Sequence, residues 1–148
     1  MSDYIMKIIP ADFTYSVTGE QAKRTLSFLR AMVKADDITF LSSETPVFVD
    51  CGSNLEMIVC PCCGEQLDFG WWGEAMNIAG KEEFKNLSVT MPCCGEKSTL
   101  NDLGYEFPCG FACAEFDILN PSTDFDGQIL SVVEELIGCP VRVIRAHV

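Results

Sequence analysis

The pentapeptide Pro-Cys-Cys-Gly-Glu occurs twice, at 61–65 and at 92–96, and it constrains the fold more than any other stretch of the chain. A glycine directly after paired cysteines supplies the left-handed backbone that a tight reversal needs. Two such reversals can be brought side by side so that their sulfurs meet. Their contexts differ. Cys60 precedes the first proline and makes a C-x-x-C pair with Cys63, whereas Met91 stands in the matching place before the second.

The chain carries nine cysteines, an odd and unevenly placed set. A secreted disulfide scaffold would be expected to show an export signal and an even count. Met1 to Phe13 has one lysine and no apolar stretch followed by a small-residue cleavage site. No later segment supplies the roughly 18 apolar residues of a spanning helix. A soluble, cytoplasmic protein without membrane contact is therefore expected, and clustered thiols in a reducing compartment point to metal.

Zinc suits such a cluster because it accepts four soft donors in a tetrahedron and holds each coordinated thiol as thiolate. The expected cofactor is Zn²⁺, and the expected ligands are Cys60, Cys63, Cys93 and Cys94. Adjacent Cys93 and Cys94 can both ligate only where the backbone bends. Two alternatives stay open: Cys62 replaces a member of one pair, or Cys109 supplies the fourth ligand. Iron–sulfur ligation lacks the usual tightly spaced runs. A redox dithiol at Cys60 and Cys63 lacks the strand-to-helix setting of that chemistry. Cys51, Cys113 and Cys139 read as small buried residues. Cys109 and Cys113 have a spacing that could suit metal, but the strand following Gly110 disfavours their convergence.

Cys60-Pro61-Cys62-Cys63-Gly64 resembles the knuckle of zinc-ribbon and treble-clef modules, a resemblance that covers Cys60 to Gly95 and implies metal ligation only. The wider run is similar to small bacterial proteins without an assigned activity; it comprises Trp71-Trp72-Gly73-Glu74-Ala75, Pro92 to Gly95, and Ser98 to Tyr105 with Pro108-Cys109-Gly110-Phe111.

Around the cysteines the patterning is that of an α+β protein. Tyr4 to Ile9 reads as a strand ended by Pro10. Thr18 with Gln21 forms a capping box before a helix with Ala22, Leu26, Leu29 and Val33 on one stripe. Ile38 to Leu41 and Pro46 to Val49 are short strands about a polar Ser-Ser-Glu-Thr turn, and Leu55 to Val59 leads into Cys60. A helix is predicted within Trp71 to Phe84, and Leu87 to Met91 is a strand feeding the second cysteine pair. Leu100 to Leu103 leads into a Gly/Pro-punctuated connection. Phe111 to Leu119 is a strand whose core face is Ala112, Ala114, Phe116 and Ile118. Ile129, Val132, Val133, Leu136 and Ile137 mark a helix stopped at Gly138, and Val141 to Val148 is a terminal strand. Two strand-helix-strand units predict one domain over 1–148, a ferredoxin-like two-layer sandwich, with a zinc-ribbon-like subdomain inserted at 55–104.

Composition bounds the function. At 148 residues the chain is enough for one core with a small insertion. Its 22 acidic and 10 basic residues give a net charge of -12, a surface that repels a phosphate backbone. Tyr105, Phe107 and Phe111 could stack bases, but stacking platforms work beside positive charge, and alternation puts Arg142 and Arg145 on opposite faces of the last strand. His147 is the lone histidine and reads as a strand-edge residue. Glu65 and Glu96 read as solvating the two turns, and of Trp71 and Trp72 one is expected in the core with the other at its edge. There is no phosphate loop, nucleophile elbow or zincin motif. The expected role is a structural zinc protein that binds a protein partner or itself; the alternative is a thiol- or zinc-dependent enzyme.

Overall fold

The computed structural model describes residues 3–122 and 127–148; the remaining positions of the expected 1–148 domain, 1–2 and 123–126, lie outside the described residues. The architecture is α+β. A four-stranded sheet is formed by β1 (Tyr4–Pro10), β2 (Asp37–Val49), β7 (Gly110–Leu119) and β8 (Val141–His147), in the order β2-β7-β1-β8. Every neighbouring pair is antiparallel. Helices α1 (Gly19–Met32) and α3 (Gly127–Ile137) connect β1 to β2 and β7 to β8.

Between β2 and β7 the chain builds β3 (Met57–Val59), α2 (Phe69–Lys81), β4 (Ser88–Thr90), β5 (Lys97–Thr99) and β6 (Gly104–Glu106). These strands form two ladders, β3 with β6 and β4 with β5. β5 and β6 fall where the sequence offers only polar and Gly/Pro-punctuated residues. Three-residue strands carry too little periodicity to be read from such a stretch.

Helix α1 begins as its capping box predicts. The Thr18 hydroxyl accepts from the Gln21 amide at 3.1 Å, and the Gln21 side chain accepts from the Thr18 amide at 2.9 Å. The stripe then faces inward, with Ala22 and Leu29 buried. They join Met6 and Ile8 of β1, Phe116 and Ile118 of β7, and Val133 and Ile137 of α3 in a core between the helices and one face of the sheet.

The opposite face is covered as well, by the unit between β2 and β7. Ile9, Phe111 and Ile144 of the sheet pack in one cluster with Ile58, Leu67, Met91 and Leu100. The alternation in β7 therefore identifies only one of two cores: Ala114, Phe116 and Ile118 are buried as expected, but Phe111 on the other face is fully buried too. Ring contacts seam the layers. Phe48 meets Phe111 at 5.2 Å and Trp72 at 5.7 Å, and Phe84 meets Phe111 at 5.2 Å. Such pairs contribute about 0.5–1.5 kcal/mol each beyond their buried area, which supplements two-stranded ladders that are marginal by themselves.

A second departure concerns β2. The expected turn at Ser42 to Thr45 is not a reversal: the strand runs through it, and the register against β7 shifts between Ser42 and Val47. Both halves keep β7 as their partner, so the polar residues sit in an edge-strand bulge, where a disrupted ladder leaves their backbone to solvent.

Where the chain leaves the sheet, Gly52 adopts φ +64, and a Cβ built on it would lie 2.0 Å from the His147 carbonyl oxygen. No L side chain fits there without moving β8. Gly52→Ala is expected to destabilise the protein by more than about 1 kcal/mol, read as a lower urea midpoint at unchanged slope.

Candidate metal centre

Each Pro-Cys-Cys-Gly-Glu segment closes the same backbone reversal. In the first, the Gly64 amide donates to the Cys60 carbonyl at 3.0 Å and the Cys60 amide to the Glu65 carbonyl at 2.8 Å. In the second, Gly95 donates to Met91 at 2.9 Å and Met91 to Glu96 at 2.8 Å. Gly64 and Gly95 have φ of 82° and 74°, the left-handed conformation that the glycine in each repeat supplies at least cost. β3 and β4 deliver the chain into the two turns, and β5 carries it away from the second.

The turns bring Cys60, Cys63, Cys93 and Cys94 together, with all four sulfurs within 4.8 Å of one another. Cys60 Sγ lies 3.8 Å from Cys94 Sγ, and Cys63 Sγ lies 3.3 Å from Cys93 Sγ. Four sulfurs bound tetrahedrally at about 2.3 Å from one zinc stand ~3.8 Å apart, so the donor set and its spacing are compatible with a metal-binding site. Cys60 is buried and the other three are exposed, placing the group at the surface end of the inserted unit.

The electrostatics depend on whether a cation is present. Burial acts to raise the Cys60 thiol, but the backbone amides of Cys63 and Cys62 outweigh it and bring it down to about 6. Local desolvation within the cluster and the sulfurs of Cys63 and Cys60 push Cys93 up to about 12. Cys94 is raised although the Glu96 amide acts to lower it, because local desolvation and the Cys60 and Cys63 sulfurs oppose that amide. The Cys60 sulfur thus acts against ionisation of Cys93 and Cys94, a balance that a bound divalent cation would reverse.

Of the two alternative ligands, neither belongs to the four-sulfur group. Cys62 contributes its amide, which donates to Cys60 Sγ at 3.4 Å, and its side chain is exposed. Cys109 lies beside Cys51, with Sγ atoms 3.3 Å apart, and both residues are fully buried. That pairing was not legible because its members stand 58 positions apart; the signal was that they flank the inserted unit. The nearer candidate for Cys109, Cys113, instead directs its thiol to the Phe13 carbonyl at 3.5 Å.

The other singled-out residues take structural places. Glu65 and Glu96 are exposed and close the turns through their backbone carbonyls. Trp72 Nε1 donates to the Tyr105 hydroxyl at 3.2 Å, which donates to the Leu100 carbonyl at 2.6 Å. Trp71 lines a groove of about 360 Å³ between α2 and β4. The His147 ring stacks on Tyr4 at 5.2 Å. No described helix is long and apolar enough to cross a membrane. No protein-family model, curated protein or solved structure matches the chain.

A carboxyl pair on the sheet also escaped the sequence reading. Glu115 and Asp117 share a face of β7, and Lys7 is the cross-strand neighbour of Asp117. Lys7 Nζ is drawn to the Asp50 carbonyl at 3.0 Å, and among the described residues Asp117 Oδ1 is buried without a hydrogen-bond partner. Burial first, then the neighbouring Asp117, pushes Glu115 up to about 8, against the pull of Lys7. A carboxyl whose folded pKa lies above its unfolded value contributes stability that is present at low pH and lost as pH rises through the folded value. Stability to urea should thus decline between about pH 5 and 8, and Glu115→Gln should remove part of that decline. Parallel slopes in variant and parent would refute this.

Proposed function

We propose that the chain is a structural zinc protein in which one Zn²⁺, held by Cys60, Cys63, Cys93 and Cys94, ties two turns of an inserted unit together on a ferredoxin-like domain. The observation that carries this reading is the convergence of four cysteine sulfurs from two equivalent turns. A set of four thiolates fills a tetrahedral zinc shell and leaves no open position for water or substrate, which favours a structural over a catalytic role. Zinc bound there would supply a crosslink between β3 and β4 that their short ladders lack.

The strand order β2-β7-β1-β8 with α1 and α3 on one face supports the ferredoxin-like reading of the main layer. Residues 55–104 are then a zinc-binding insertion within a single domain over 1–148. We place this protein in the cytoplasm, where reduced thiols stay available to metal.

For the biological role we propose docking to a protein partner with basic residues. The groove beside Trp71 is lined by the apolar Ala75, Ile78 and Val89 together with Glu74 and Glu82, and Ile78 is 66% exposed. An apolar lining beside acidic residues suits an amphipathic basic segment and opposes nucleic acid.

Protein purified without chelator is expected to contain about one zinc per chain, measured by elemental mass spectrometry. Less than half an equivalent would sink the reading. Cys93→Ser should lower zinc occupancy at least about tenfold under competition with a chelator, whereas Cys62→Ser should leave it unchanged. Equal loss in both variants would reassign the fourth ligand. For the groove, Glu74→Lys with Glu82→Lys should weaken binding of an amphipathic lysine-rich peptide by about tenfold or more, followed by tryptophan fluorescence; unchanged affinity would remove the groove from the partner role.

A further inference from the structure

The thiols that the metal reading leaves unused include one close pair, and its position is particular. Cys51 follows the last residues of β2 and Cys109 immediately precedes β7, so the two stand at the entry and exit of the inserted unit. Both are fully buried, and their sulfurs are 3.3 Å apart. The Phe107 carbonyl oxygen lies 3.6 Å from each sulfur. The Val49 and Gly110 backbones, which pair at the adjoining end of the ladder, hold the two chains in register. Arg142 fixes the same corner, donating to the Cys109 carbonyl at 3.0 Å.

We propose that Cys51 and Cys109 are a modification site: a dithiol that a hydroperoxide oxidises to a disulfide, closing the base of the inserted unit covalently. A disulfide needs the sulfurs at about 2.05 Å, and these already stand at 3.3 Å. Cys51 Sγ attacks one peroxide oxygen; the O–O bond breaks, the departing hydroxide takes the Cys51 thiol proton and leaves as water, and Cys51 becomes a sulfenic acid. Cys109 Sγ then attacks the Cys51 sulfur. The S–O bond breaks, the S–S bond forms, and the sulfenic oxygen leaves as a second water carrying the Cys109 proton. Two thiols lose two electrons and two protons, and hydrogen peroxide is reduced to two waters. Burial, followed by the Cys51 sulfur, pushes Cys109 up to about 12, which disfavours it as the thiol that makes the first attack.

The ring that results spans residues 51–109 and constrains the unfolded chain. It does not depend on the metal reading, because the exposed turn cysteines are spatially separate members of another group.

The test is disulfide mapping on the full chain as purified. After graded hydrogen peroxide, the remaining thiols are alkylated in denaturant and the digest is analysed by mass spectrometry. The expected product joins the Cys51 and Cys109 peptides, is reversed by dithiothreitol, and raises Tm by about 5 °C or more. Bound zinc, measured in the same samples, reports separately on the turn cysteines. Recovery of Cys51 and Cys109 both alkylated while Cys62 has been oxidised would overturn the proposal, as would linkage of Cys109 to any other cysteine. Cys51→Ala should lose the Tm rise; should that variant fail to fold, the mapping on the unsubstituted chain still decides.

Discussion

Bringing four sulfurs to within 4.8 Å of one another sets one thiol against another: with Cys60 lowered, Cys93 and Cys94 are both raised. The rest of the inserted unit is arranged around that convergence. Its ladders, β3 with β6 and β4 with β5, are three residue pairs each, too short to be stable alone. What holds them is the buried cluster that joins Ile58, Leu67 and Leu100 to Phe111 of the sheet. The apolar cluster fixes the inner end of the unit, and a metal crosslink would fix the outer one.

This arrangement makes the central sheet a three-layer junction. β7 is the strand on which both cores depend, with Phe116 and Ile118 turned to the helices and Phe111 to the inserted unit. The aromatic seam at Phe48, Trp72, Tyr105 and Phe111 couples α2 to the sheet. A change in the turns would reach the sheet through Met91 and Leu100, which belong to the same buried cluster as Phe111.

The parts of the fold that were legible in the sequence are those with strong local determinants. The Thr18–Gln21 capping box, the α1 stripe and the alternation of Phe116 and Ile118 are each settled by neighbours a few residues away. The convergence of Cys60, Cys63, Cys93 and Cys94 followed from a repeated turn with glycine at the same place. What escaped was non-local. A polar run at Ser42 to Thr45 looks like a turn unless the partner strand that continues past it is known. Phe111 looks peripheral unless the inserted unit is known to cover it. Cys51 with Cys109, and Lys7 with Asp117, meet only after the sheet has formed.

The asymmetry between the two turns has a physical origin in what lies beneath each. Cys60 and Met91 occupy equivalent positions, both almost fully buried at 1% exposure and both within the same core cluster. At the first turn that inward position carries a thiol, and its sulfur reaches Cys94. At the second it carries a long unbranched thioether, the side-chain type that fills irregular gaps in cores. The position has thus been given to packing, and the sulfur missing from it is supplied by Cys93, two residues on and exposed. Cys93 can reach Cys63 because the turn, closed by the Gly95 and Met91 amides, bends the backbone between adjacent cysteines. Two turns built on the same pentapeptide therefore present their sulfurs differently: one from below, Cys60, and one from the rim at the first turn, and two from the rim at the second.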